Sequence, residues 1–82
     1  MNQYTVMLMR PAVIQDPALY NDFYLAHVEA ENVQKSVYAA QDQAMAADAN
    51  EVEGFEDYDL QPYDYSVISV FEGHLKPVWV GR

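Results

Sequence analysis

Seven residues between Asp48 and Asp59 carry a carboxylate or amide oxygen: Asp48, Asn50, Glu51, Glu53, Glu56, Asp57 and Asp59. Clustered carboxylate and amide oxygens are what a hard cation such as calcium binds. The EF-hand pattern fails when it is laid on this run with Asp48 first. The fifth position is Val52, the sixth is Glu53 where the sharp turn needs glycine, and the twelfth is Asp59 where a bidentate Glu is required. Gly54 comes one residue late. The run therefore reads as a solvated acidic loop with no metal. His27 and His74 lack the spacing of a zinc pair, and the chain has no cysteine to complete a site.

Hydrolytic chemistry fares no better. Ser66 and Ser69 could act as nucleophiles only with a base beside them, and His27 is the candidate base. No glycine-rich elbow surrounds either serine. Glu56 and Asp57 form an adjacent carboxylate pair, which more commonly marks a wet surface than an acid/base couple. Gly54, Gly73 and Gly81 are isolated and none opens a helix, so a phosphate cradle has no support. No catalytic residue and no cofactor is assigned, and a non-enzymatic protein is expected.

Recognition is the third chemistry. From Ser36 to Glu72 the chain has no lysine or arginine but nine acids, interleaved with Phe55, Tyr58, Tyr63 and Tyr65. Acids steer encounter with a basic surface, and aromatic side chains supply anchoring energy. The candidate partner-binding set is Asp42, Asp48, Glu51, Glu53, Glu56, Asp57, Tyr58, Asp59 and Tyr63. The expected partner is a basic protein, and a row of carboxylates could occupy its groove as nucleic acid does. Direct nucleic-acid binding is not expected, because Arg10, Lys35, Lys76 and Arg82 are the only cations and are scattered. The competing reading is that the acidity serves solubility alone.

These residues must be positioned by the elements around them. Gln3 to Arg10 is an apolar run on both alternating faces, which predicts a central strand. Pro11 to Asp22 reads as loop, with one helical turn over Pro17–Tyr20. Phe23 to Ala30 reads as a strand with Tyr24, Ala26, Val28 and Ala30 on one face; a helix running from Asp16 to Asn50 is the rival reading. Asn32 offers an N-cap for a helix over Val33–Asp48, whose stripe is Val33, Val37, Ala40, Ala44 and Ala47. Lys35, Asp42, Gln43 and Ala46 fall opposite, Tyr38 and Met45 flank the stripe, and Asn50 is the expected C-terminal cap. Glu51 to Asp64 is a long acidic connection. Tyr65 to Phe71 reads as a second buried strand, Glu72–His74 as a turn, and Leu75–Val80 as a short edge strand that tolerates Pro77.

Pairing the third strand with the first gives an antiparallel sheet of three strands in the order 2-1-3, or of four where Leu75–Val80 adds an edge strand. One helix covers one face, in a two-layer α+β domain. The other face is left with Met, Tyr and Phe, so an alternative function is structural, with homo-oligomerisation through that face. A chain of 82 residues allows one domain, 1–82. With 51% hydrophobic residues it can build a core despite a net charge of −9, which excludes full disorder. No segment approaches the roughly 20 apolar residues of a membrane span. The opening residues lack the basic and apolar regions of a signal peptide, so a cytoplasmic protein is expected, with no membrane partner.

The segments HVEAENVQKSVYAA and DYSVISVFEGH, separated by an acidic gap, resemble small uncharacterised proteins of tailed phages. The resemblance spans about two thirds of the chain. It implies an accessory factor that binds and inhibits a host protein in the host cytoplasm. Nucleic-acid-handling machines such as a polymerase, a nuclease or a defence complex are the implied targets. The resemblance brings no catalytic motif.

Overall fold

A strand apolar on both faces must be covered on both edges, and Asn2–Met9 (β1) is placed accordingly. A computed structural model describes residues 1–16, 18 and 22–74 and puts β1 at the centre of a three-stranded sheet. Phe23–Ala30 (β2) lies antiparallel to it on one side and Ser66–Glu72 (β3) antiparallel on the other. The order β2-β1-β3 is the one the apolar pattern predicts. The segment 23–30 is a strand, so the rival helix from Asp16 does not form. A short 3-10 turn, Ala12–Ile14, follows β1 and tucks Ile14 into the core. The helical turn expected over 17–20 lies, apart from Ala18, outside the described residues, as does the edge strand expected over 75–80.

Register decides which side chains share a face. Tyr4 pairs with Val28, Val6 with Ala26 and Leu8 with Tyr24. On the other side Val6 pairs with Val70. Tyr4, Val6, Leu8, Ala26, Val28 and Ala30 are buried together beneath the helix, so the period-two face of β2 falls as expected. β3 carries one extra residue, Ile68, where the pairing jumps from Met7–Ser69 to Leu8–Val67. Such a bulge bends the strand and interrupts its ladder.

The one α-helix among the described residues, Val33–Glu51 (α1), packs chiefly on β2 and β1. Asn32 caps it as expected: its side chain accepts the Lys35 backbone N–H at 2.9 Å. The helix outruns the expected end at Asp48. It closes at Val52, whose N–H donates to Asp48 O at 2.8 Å, so Asn50 lies inside the last turn and is not the cap.

The buried stripe is rotated from the expected one. It runs Ser36, Ala40, Ala44, Asp48, a strict four-residue step. Val33 is 52% exposed, Val37 and Ala47 lie at the margin, and Tyr38 faces solvent rather than closing the edge. Two polar residues can end a buried stripe only if their hydrogen bonds are met inside. Ser36 Oγ donates to Val33 O, and Asp48 is held by two partners described below. Alanines at the centre let the helix axis come close to the sheet, and that approach rather than side-chain hydrophobicity sets the rotation.

Candidate functional site

The connection after α1 is ordered in detail. Gly54 sits at φ +70°, a left-handed conformation that favours glycine, and reverses the chain after the helix. The segment Phe55–Tyr58 then forms a 3-10 turn, with Asp57 N donating to Gly54 O at 3.0 Å. Phe55 is 6% exposed and belongs to the core. It pins the turn, so its neighbours Glu56, Asp57, Tyr58 and Asp59 are turned outward. Asp59 reverses the chain again at φ 51°, a region Asp enters more readily than most side chains. A second 3-10 turn, Pro62–Asp64, is closed by the Asp64 carboxylate, which accepts from Gln61 N at 2.8 Å. Tyr58 is 45% and Tyr63 75% exposed.

Of the nine sequence-derived site residues, Asp42, Glu51, Glu53, Glu56, Asp57, Tyr58, Asp59 and Tyr63 lie at the surface. Asp48 does not. It is 4% exposed, and the correction follows from its helix position, one four-residue step beyond Ala44 and on the sheet side. Arg10 Nε lies 3.1 Å from Asp48 Oδ1 and 3.0 Å from Oδ2. The Tyr65 hydroxyl donates to Asp48 Oδ2 at 2.7 Å. Arg10 is held further by Phe23 O, which accepts from its guanidinium at 2.7 Å, and by the Tyr24 ring, 5.3 Å from the guanidinium carbon. Asp48 thus joins the ends of β1 and α1 to the start of β3. Arg10 and Tyr65 are the partners that sequence reasoning missed. The trace was there: an i+4 stripe ending in a carboxylate predicts a buried cation nearby, and Arg10 closes the apolar run of β1.

Burial first, then the hydrogen bond and charge of Asp48, push the Tyr65 hydroxyl well above the usual 10.0. In the folded chain Tyr65 therefore keeps its proton at a pH where the unfolded chain has lost it. The stabilisation is complete below about pH 10 and is lost as pH rises beyond it. Tyr65→Phe is expected to cost about 1–2 kcal/mol at neutral pH. It should also flatten the alkaline loss of stability by up to ~1.4 kcal/mol per pH unit. Urea titrations of both proteins at neutral pH and above pH 10 read this directly. Parallel pH profiles would show that Tyr65 is not the titrating group.

The histidine and serines weighed as a base and its nucleophiles lie apart. His27 sits on β2 opposite Thr5, and Thr5 pairs across with Phe71. Ser69 pairs with Met7 in the next row, and β1 stands between His27 and both serines. The His27 ring is instead stacked against His74, with centroids 5.1 Å apart and an angle of 12°. His74 Nε2 donates to Val28 O at 3.1 Å. An open cleft of about 460 Å³ lies elsewhere, between Met1–Tyr4 and Glu72–Gly73. Among the described residues no three His, Asp or Glu side chains are grouped as metal ligands would be. Nor is any helix among them long and apolar enough to cross a membrane.

The fold and the exposed turn together define a two-layer α+β domain with an acidic, tyrosine-bearing edge. No family model, no curated protein and no solved structure matches the chain.

Proposed function

We propose that this protein is a non-enzymatic binding module that docks its acidic turn on a basic surface of another protein and blocks it. The observation that carries the reading is the burial of Phe55, which holds Glu56, Asp57, Tyr58 and Asp59 outward on a fixed turn. A pinned turn loses little conformational freedom on binding, so more of its contact energy appears as affinity.

Helix electrostatics support the same reading. Glu51 closes α1 and Glu53 follows it, with no basic residue in the last turn. Carboxylates at a helix C-terminus are disfavoured by about 0.3–1 kcal/mol each. Acidity placed where it opposes the helix does not serve the fold. The target we infer is a nucleic-acid-handling protein, because the groove of such a protein is basic and accepts a row of negative charges. A polymerase, a nuclease or a defence complex of a host cell fits that description.

The test is affinity capture from bacterial lysate at low and high salt, with the triple variant Glu56→Lys, Asp57→Lys, Asp59→Lys as control. One dominant basic protein is expected, released by high salt and by competing duplex DNA. The triple variant should bind it about a hundredfold more weakly while keeping its circular dichroism and urea midpoint. Equal capture by the reversed variant would refute the reading.

A further inference from the structure

The sheet has a second face, which α1 does not cover, and the chain crosses it after β3. Gly73 sits at φ +81°, a left-handed conformation that bends the chain over β1. Its N–H donates to Gln3 O at 2.8 Å, and its carbonyl accepts from the Thr5 hydroxyl at 2.8 Å. Thr5 is only 1% exposed. His74 then lies on β2. Its Nε2 donates to Val28 O at 3.1 Å, and its ring stacks on His27, with centroids 5.1 Å apart and planes 12° from parallel. Gly73 and His74 thus form a strap from β3 across β1 to β2, and the histidine pair is its far fastening.

We infer that this strap is operated by acid: it stays closed while at least one of the two rings is neutral, and it opens when both carry a proton. The first proton does not loosen it. An imidazolium keeps the Nε2–H that Val28 O accepts, and a charged ring stacked on a neutral one meets no like charge. The second proton sets two like charges 5.1 Å apart. In bulk water that repulsion disfavours the closed strap by roughly fourfold, and in less polar surroundings by more.

Among the described residues, the groups around the pair do not cancel both charges. Glu29 follows His27 on the same face of β2 and can offset one of them. On this face β1 contributes Gln3 and Thr5 and β3 contributes Phe71, all uncharged. Glu72 pairs with Tyr4, whose side chain lies under the helix, so Glu72 is turned to the other face. Met1 and Asn2, near Gly73, bring no acid. The charged residues of α1 lie behind the sheet. Opening separates the two charges, so the open strap takes up the second proton more readily. Closure is therefore complete at the alkaline end of the histidine range and is lost as pH falls. Opening takes the cover from Thr5 and frees the Gln3 carbonyl, so acid changes what this face presents.

Amide hydrogen exchange of the full chain, read by NMR and divided by the intrinsic rate at each pH, tests this from about pH 8 to about pH 5, where histidine changes charge. At low ionic strength the protection of the Gly73 amide should fall by about fourfold or more over that range. Val6, in the β1–β2 pairing, should keep its protection. His27→Phe leaves a ring in the stack and removes one charge, so in that variant Gly73 should stay protected at both ends of the range. Equal protection of Gly73 at the two ends in the wild-type chain would overturn the inference. A parallel loss at Val6 would mean that the whole sheet loosens, and would overturn it too. The same acid loss in His27→Phe would assign the release to another group and sink the histidine mechanism.

Discussion

Asp48→Ala is expected to destabilise the domain by about 3 kcal/mol, against less than about 0.5 kcal/mol for Asp42→Ala on the same helix. Both residues were candidates for the same acidic surface. The difference lies in what each leaves behind. Removing Asp42 takes a carboxylate out of water. Removing Asp48 takes away the carboxylate that the Arg10 Nε–H shares between both oxygens, where that side chain is only 15% exposed, and orphans the Tyr65 hydroxyl in the core. A chain of 82 residues has on the order of 4–12 kcal/mol of total stability, so such a loss is a large fraction of it. Asp48→Asn keeps the shape and some hydrogen bonding but not the charge, and should fall between the two. Urea denaturation of the three variants decides the matter. If Asp48→Ala were as mild as Asp42→Ala, the Arg10–Asp48–Tyr65 link would not hold the fold.

Ala40→Leu is expected to cost about 1–3 kcal/mol and to lower the melting temperature by roughly 5–20 °C. Ala40 and Ala44 have no exposed surface, and they lie over a sheet face that presents Ala26 and Val28. The helix is close because its contacts are small. A leucine at position 40 has no space except by lifting α1 off β2, and that would also loosen Asp48 at its far end. Ala46→Leu, on the exposed side of the same helix, should change stability by less than about 0.5 kcal/mol. Thermal unfolding of the pair separates overpacking from helix propensity, since both variants put the same residue into the same helix. Equal melting temperatures would mean that the helix does not rest on its alanines.

The strands were legible because period two survives in short segments, but β3 is not the buried strand expected. As an edge strand on β1 it has no buried residue, and only Tyr65 just before it is buried. Tyr24, Ala26, Val28 and Ala30 alternate cleanly, and their face is the buried one. The sheet order followed from the two apolar faces of β1, which no edge position tolerates. The helix stripe was misread because Val33 and Val37 are more hydrophobic than Ser36 and Asp48, and hydrophobicity alone favours the wrong rotation. The close approach of the alanines set the rotation, and a cation 38 residues away holds its far end, so hydrophobicity within one helix does not report it. The acidic turn was visible as composition. Its order was not, because Phe55 looks the same in sequence whether it anchors a loop or decorates it. The stack of His27 on His74 was equally hidden, since it depends on a bend that carries the chain over the open face.

The placement of β1 sets the order in which the protein can complete itself on the ribosome. Of the three strands of this sheet, the first to emerge is the one that needs neighbours on both sides. Its β2 partner follows within a hairpin's length, and α1 can settle on that pair. The other edge must wait for β3, since contacts such as Thr5 to Gly73 span 68 residues. Until then Tyr4 to Met9 present unpaired backbone along one side, the condition in which nascent strands seek the wrong partner. Closing so long a loop is also slow. Residues 66–72 therefore close the open side of β1, and a chain stalled before them would leave an open, sticky hairpin under a helix rather than a smaller version of the same protein.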